Sequence, residues 1–154
     1  MDETYIKIKG QWFYLYRAVD KSGETIDFML SEKRDEAAAR AFFTKAINAS
    51  GKPEKVTIDK SGANNAALKS LNKNLKEKDS IEIRQIKYLN NVVEQDHRFI
   101  KRITKPMMGF KSFESFESAQ ATLSGIELHH MLRKNQHKNN ETTSVFKQFY
   151  ALAA

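Results

Sequence analysis

Cysteine is absent from this 154-residue chain, which excludes disulfides, paired-cysteine redox motifs and Cys/His zinc sites outright. A chain of this length forms one domain and builds a core without such staples. No run of eighteen apolar residues occurs, so no membrane-spanning helix is expected, and the opening DETYIKIK carries no signal-peptide pattern. Internal repeats are missing too, which sets aside solenoids and propellers. The expectation is a soluble cytoplasmic protein with no membrane partner. Acidic charge is the minority: 26 Lys and Arg stand against 19 Asp and Glu, and the net charge of +7 suits a polyanionic partner such as DNA.

The basic residues gather around one stretch, YLNNVVEQDHRFIKRITK (Tyr88 to Lys105), and continue past it to Lys111. Val93, Ile100 and Ile103, with Phe99 beside them, recur at helical spacing and predict a buried stripe on a helix that starts near Val92 and stops at Pro106. Glu94, His97, Arg98 and Lys101 fall at i, i+3, i+4 and i+7, placing one carboxylate with an imidazole and two cations on one face. A solvated salt-bridge face is one reading of that pattern, with Glu94 and Arg98 as its ion pair. A metal site is the other, and it needs acidic partners elsewhere.

The rest of the pattern reads as strands and helices in turn. Tyr5 to Lys9 alternates as a strand, Gly10-Gln11 turns into Trp12 to Val19, and the Lys21 to Glu24 turn leads to a third strand, Thr25 to Leu30. Asp35 is placed to cap a helix that Gly51 stops, with Phe42 and Phe43 in the core. A short strand from Val56 to Asp59, a helix from Ala63 to Leu71, a lysine-rich loop and a strand from Ile81 to Ile86 precede the central helix. Met107 to Phe116 is a loop whose phenylalanines either stack on unpaired bases or pack on the core. A last helix runs from about Ser115 to Lys134; its His129-His130 pair shares no helix face, which argues for surface or capping roles. The order is βββαβαβα.

Three carboxylates stand out in this order. Asp59 closes a β-branched strand, Glu94 opens the basic helix, and Asp2 precedes the first strand. Hard divalent cations take carboxylate oxygens of this kind. Asp96 is placed nearer the core, against a backbone group or a cation, while Asp20 and Asp27 have ready structural roles in a turn and a strand.

The blocks DETYIKIKGQW, YLYRAVD, TIDFMLS, KRDEAAA and KYLNNVVEQDHRFIKR, in this order and with this interval from Asp59 to Glu94, resemble the DDE transposases of bacterial insertion sequences, most nearly the insertion sequence six family. The resemblance covers Asp2 to about Gln136. It implies an α/β fold of the ribonuclease H-like type, a mixed five-stranded sheet flanked by helices, with the first and fourth strands adjacent. It implies further that Asp2, Asp59 and Glu94 are the catalytic and metal-binding triad for two Mg²⁺ or Mn²⁺ ions. Asp2 would bridge them, and cleavage and strand transfer would proceed by in-line displacement without a covalent enzyme intermediate. Lys101 matches the basic residue that contacts substrate DNA; Arg98 and Lys105 extend that contact, and His97 positions Glu94 or the substrate.

By the same resemblance the partners are terminal-repeat and target DNA and a second copy of the chain in a homodimer. Residues 1–134 form the catalytic domain, residues 135–154 a polar linker and tail helix, and the family's N-terminal helix-turn-helix region is absent. The alternative is a catalytically silent remnant that keeps only DNA-binding or oligomerisation capacity.

Overall fold

In the computed structural model, residues 1–86, 91–109, 115–136, 144–145 and 147–149 are described. Three antiparallel strands come first: β1 (Asp2–Ile8), β2 (Gln11–Val19) and β3 (Thr25–Ser31). The turn between β1 and β2 is made by Lys9 and Gly10, one residue earlier than the sequence pattern suggests. Both have positive φ, at 47° and 83°, which matches the right-handed twist of a two-residue hairpin. Helix α1 (Glu36–Ser50) begins at Asp35, whose carboxylate accepts from the Ala38 amide at 2.8 Å, and ends at Gly51 with φ 86°.

Strand β4 (Lys55–Ile58), helix α2 (Gly62–Asn72) and strand β5 (Glu82–Gln85) follow, and β4 pairs with β5 in parallel. Helices α3 (Asn91–Gly109) and α4 (Phe116–Arg133) complete the described order, with Ser115 capping α4 at 3.1 Å. The mixed α/β order agrees with the sequence pattern. The strands, however, form a three-stranded sheet, β1-β2-β3, and a two-stranded sheet, β4-β5, instead of one continuous ladder. β4 is four residues long, and β1 meets it at its start, where the Met1 nitrogen donates to the Thr57 carbonyl at 2.8 Å.

Strand alternation divides the core in two. Tyr16 on one face of β2 packs with Phe42, Phe43, Ile58 and Leu68 from α1, β4 and α2. Ile6, Ile8, Leu15 and Leu30 on the other face pack with Ile100, Ala119 and Leu123 from α3 and α4. Helix α3 runs through Pro106 to Gly109 and does not stop at the proline. Pro106 lies in the last turn, so the one backbone bond it cannot make is close to a helix end that is open anyway. No helix among the described residues is long and apolar enough to cross a membrane. Phe110, Lys111 and Phe113 of the aromatic loop, and most of the tail after Gln136, lie outside the described residues. Phe116, at the end of that loop, packs against Phe13 with the rings tilted and their centroids 5.7 Å apart, a core role.

Candidate active site

Asp2 opens β1, and Asp59 follows the last residue of β4, so the contact between these two strands brings the carboxylates to one place. With Glu3 they form a group whose ligand atoms all lie within 4.8 Å of one another. Asp59 is fixed by an Asx turn in which its Oδ1 accepts from the Ser61 amide at 2.9 Å. Glu3 was not anticipated from the sequence. It points to the opposite sheet face from Asp2, and only the strand end lets both reach Asp59. Its side chain is 2% exposed. Oε1 accepts from Asn64 Nδ2 at 3.2 Å and Arg34 Nε at 3.3 Å, while Oε2 is buried without a hydrogen-bond partner among the described residues. Burial pushes the Glu3 pKa up, against the lowering effects of Arg34 and Asn64.

Arg34, from the segment between β3 and α1, is the second residue that sequence reasoning passed over. Its guanidinium also lies 3.8 Å from Asp59 Oδ2 and donates to the Tyr5 hydroxyl at 3.2 Å. The KRDEAAA block that carried the resemblance contains Arg34, which was the available signal.

His97 is not on the exposed face that its spacing from Glu94 suggested. Val93, His97, Ile100 and Thr104 recur at steps of four, three and four, and all four are buried. His97 therefore extends the apolar stripe inward to the sheet, where Nδ1 lies 3.4 Å from Asp2 Oδ2. Burial lowers its pKa, with the Asp2 hydrogen bond opposing, so the ring favours the neutral form. Glu94 stands one turn before His97, exposed, and is not among the carboxylates that come together. Among the described residues it forms no ion pair with Arg98. Arg98, Lys101 and Lys105 are exposed along the same helix.

Behind Asp2 lies a second charged cluster. Arg17 is directly opposite Asp2 in the β1–β2 register and fully buried. It donates to Glu127 at 2.5 and 2.9 Å and to Asp96 at 2.6 Å. His130 contacts the other Asp96 oxygen at 2.6 Å and stacks on Phe99 at 4.1 Å, and Lys134 reaches the same oxygen at 3.2 Å. The expected inward, cation-bound Asp96 is found here. His130 is a correction to the surface reading, since it is buried and ties α4 to α3. Burial opposes the charge of Asp96, but hydrogen bonds from His130 and Arg17 hold its carboxyl well below the usual range.

The donor set at Asp2, Glu3 and Asp59 fits a hard divalent cation: three carboxylates converge, and one buried oxygen has no hydrogen bond. A family model described as "DDE domain" matches residues 1–136. The chain is 42% identical over 147 residues to the transposase for insertion sequence-like element IS431mec from Staphylococcus aureus strain Mu50, covering 95% of this chain and 61% of that protein. The transposase for insertion sequence element IS257 in transposon Tn4003, also from Staphylococcus aureus, matches with the same 42% identity and the same coverage. The chain thus spans about three fifths of these relatives, 61% of their length. A chain of the cryo-electron microscopy structure of the simian T-cell lymphotropic virus intasome in complex with PP2A regulatory subunit B56 gamma shares the fold, with a TM-score of 0.57 at 19% identity. That match covers 79% of this chain and 45% of the other.

Proposed function

Because this chain belongs to the DDE domain family of transposases, within the insertion sequence six group, we propose that it is a transposase catalytic domain that cleaves and joins DNA strands at insertion-sequence ends. The observation that carries the reading is the convergence of Asp2 and Asp59 from separate strands, with ligand atoms within 4.8 Å. A bound divalent cation would supply charge neutralisation at a phosphate and an acidified water or hydroxyl, and our reading is two ions, Mg²⁺ or Mn²⁺. Asp2 and Asp59 would hold them, with Glu94 from the first turn of α3 as the third ligand.

The protein's own groups divide the remaining work. His97, neutral and buried, orients Asp2 from behind. The Ser61 amide fixes Asp59. Arg98, Lys101 and Lys105, exposed along α3, bind the phosphate backbone. Residues 1–134 act as the ribonuclease H-like unit, and the Met1–Thr57 hydrogen bond supports reading the two sheets as one mixed sheet in the order β3-β2-β1-β4-β5. Residues 135–154 form the linker and tail, and two copies act as a dimer on DNA.

A second reading, a catalytically silent domain that only binds DNA or oligomerises, is favoured by one observation: Glu94 stands outside the carboxylate group. Titration calorimetry with Mg²⁺ and Mn²⁺, run beside nicking of supercoiled plasmid, separates the two. Metal binding and nicking that disappear in Asp59→Ala and in Glu94→Ala support the catalytic reading. A folded chain that binds no metal supports the silent one.

A further inference from the structure

The face of β1 and β2 opposite Asp2 is only partly covered. Alternation puts Glu3, Tyr5 and Lys7 of β1 on this face, paired in register with Tyr16, Tyr14 and Trp12 of β2. Tyr16 is fully buried under Phe42 of α1. Further along, the helices no longer cover the sheet, and Tyr5 and Trp12 are 49% and 51% exposed. Their rings meet edge to face at 6.0 Å, Tyr14 lies 5.4 Å from Tyr5, and Lys7 Nζ sits 5.3 Å above the Trp12 ring. Folding alone does not call for two large aromatic rings held in water, and such patches mark contact sites.

We infer that this aromatic ladder, Tyr5, Trp12 and Tyr14 with Lys7 and Arg34, is a stacking platform for unpaired DNA bases that adjoin the phosphate at the acidic group. Two observations select this occupant. Glu3 on this face is buried against Arg34, and the charged groups that flank the exposed rings, Lys7 and Arg34, are cations, complementary to a phosphate backbone; aromatic rings interleaved with cations are how single strands are held without regard to sequence. The ladder is also continuous with the acidic group, because one guanidinium, Arg34, touches the Tyr5 hydroxyl at 3.2 Å, Glu3 at 3.3 Å and Asp59 at 3.8 Å. A strand leaving the carboxylates along Arg34 meets Tyr5 next. Stacking needs a free base face, so duplex DNA does not satisfy the ladder. The inference rests on the transposase reading only for the source of the strand.

Trp12 is the only tryptophan in the chain, so its own fluorescence reports the contact. The 154-residue protein is titrated in EDTA with a ten-nucleotide oligothymidine and, separately, with a blunt hairpin duplex, following both tryptophan emission and anisotropy of labelled DNA. The expected result is saturable quenching by the single strand, with about ten-fold weaker single-strand binding in Trp12→Ala and in Tyr5→Ala. Trp12→Phe keeps a stacking ring and stays within about three-fold of the parent, and duplex affinity changes less than about two-fold throughout. Single-strand binding without quenching, or equal losses on single strand and duplex, overturns the inference. So does a Trp12→Ala protein whose oligothymidine affinity is unchanged while its mass by light scattering shifts, which would make the face a protein contact. Because EDTA removes metal chemistry, a chain that binds no metal yet shows the quenching overturns the catalytic reading and supports this one.

Discussion

Two charged clusters lie on either side of the Asp2–Arg17 register pair, and they differ in charge balance. In the cluster between α3, α4 and β2, the cations Arg17 and Lys134 face the carboxylates Asp96 and Glu127, with His130 bridging. At the strand ends, Asp2, Glu3 and Asp59 come together, and among the described residues the guanidinium paired with Glu3 and Asp59 is that of Arg34, while burial favours a neutral His97. Orphaned polar atoms do not separate the two, since among the described residues Arg17 Nη1 and His130 Nδ1 lack partners in one as Glu3 Oε2, Asn64 Oδ1 and His97 Nε2 do in the other. Net charge does separate them. The balanced cluster holds two helices to the sheet, whereas the other gathers three carboxylates against one guanidinium and an amino terminus, Met1, whose pKa burial lowers to about 6, an acidic excess that a divalent cation would offset.

The contrast is tested most severely at Asp59. Replacing it by alanine removes a proposed metal ligand and, on the catalytic reading, should lower plasmid nicking by about a thousand-fold or more, since metal-based charge stabilisation contributes several kcal/mol. The same change relieves repulsion among like charges, so the thermal midpoint in EDTA should hold or rise. A large fall in stability would mean that the acidic group is structural like its neighbour.

Arg17→Met should do the reverse. It leaves Asp96 and Glu127 buried without their guanidinium, which costs about 3–5 kcal/mol in urea unfolding. Adding Glu127→Leu should recover part of that loss, because an apolar pair is tolerated where a lone buried carboxylate is not. Acid acts on the same cluster. The folded pKa of Asp96 lies below its ordinary 3.8, so its contribution is whole above that pH and is lost as the pH falls from 3.8 through the lower folded value. Urea midpoints measured downward from pH 6 should show that loss in the parent and not in Asp96→Asn.

How much of this was legible in the sequence follows from what alternation and helical period can report. Strands, caps and the α1 and α4 boundaries were readable because Asp35, Gly51 and Ser115 act locally. Asp2 was singled out from the first of the ordered blocks, and Asp59 from the β-branched strand it closes and its interval to Glu94. Glu3 was not, because alternation sends it to the other face and only the β1–β4 junction returns it to Asp59. His97 was misread because its spacing from Glu94 equals its spacing to the stripe residues Val93 and Ile100 within one position, and a polar residue on a buried stripe has no signature of its own. Arg17, in YLYRAV, looks like an exposed strand cation until Asp96 and Glu127 arrive from helices far along the chain. Charge pairs between distant elements leave no local pattern.

Helix α3 carries both kinds of charge, and it sharpens the contrast at the smallest scale. Asp96 turns inward to Arg17, whereas Arg98, Lys101 and Lys105, a turn or two further on, are exposed. An exposed cation without a buried partner contributes little to folding, so Lys101→Ala should leave the urea midpoint within about 0.5 kcal/mol of the parent. On DNA it should count once. If Lys101 neutralises one phosphate, the slope of log affinity against log salt for duplex DNA becomes shallower by about 0.9, a change of a few-fold at moderate salt and nearly nothing at high salt. A slope equal to the parent's would take Lys101 off the DNA path and leave Arg98 and Lys105 to carry the contact, while a fall in stability would place it with the buried cluster on the other side of its own helix.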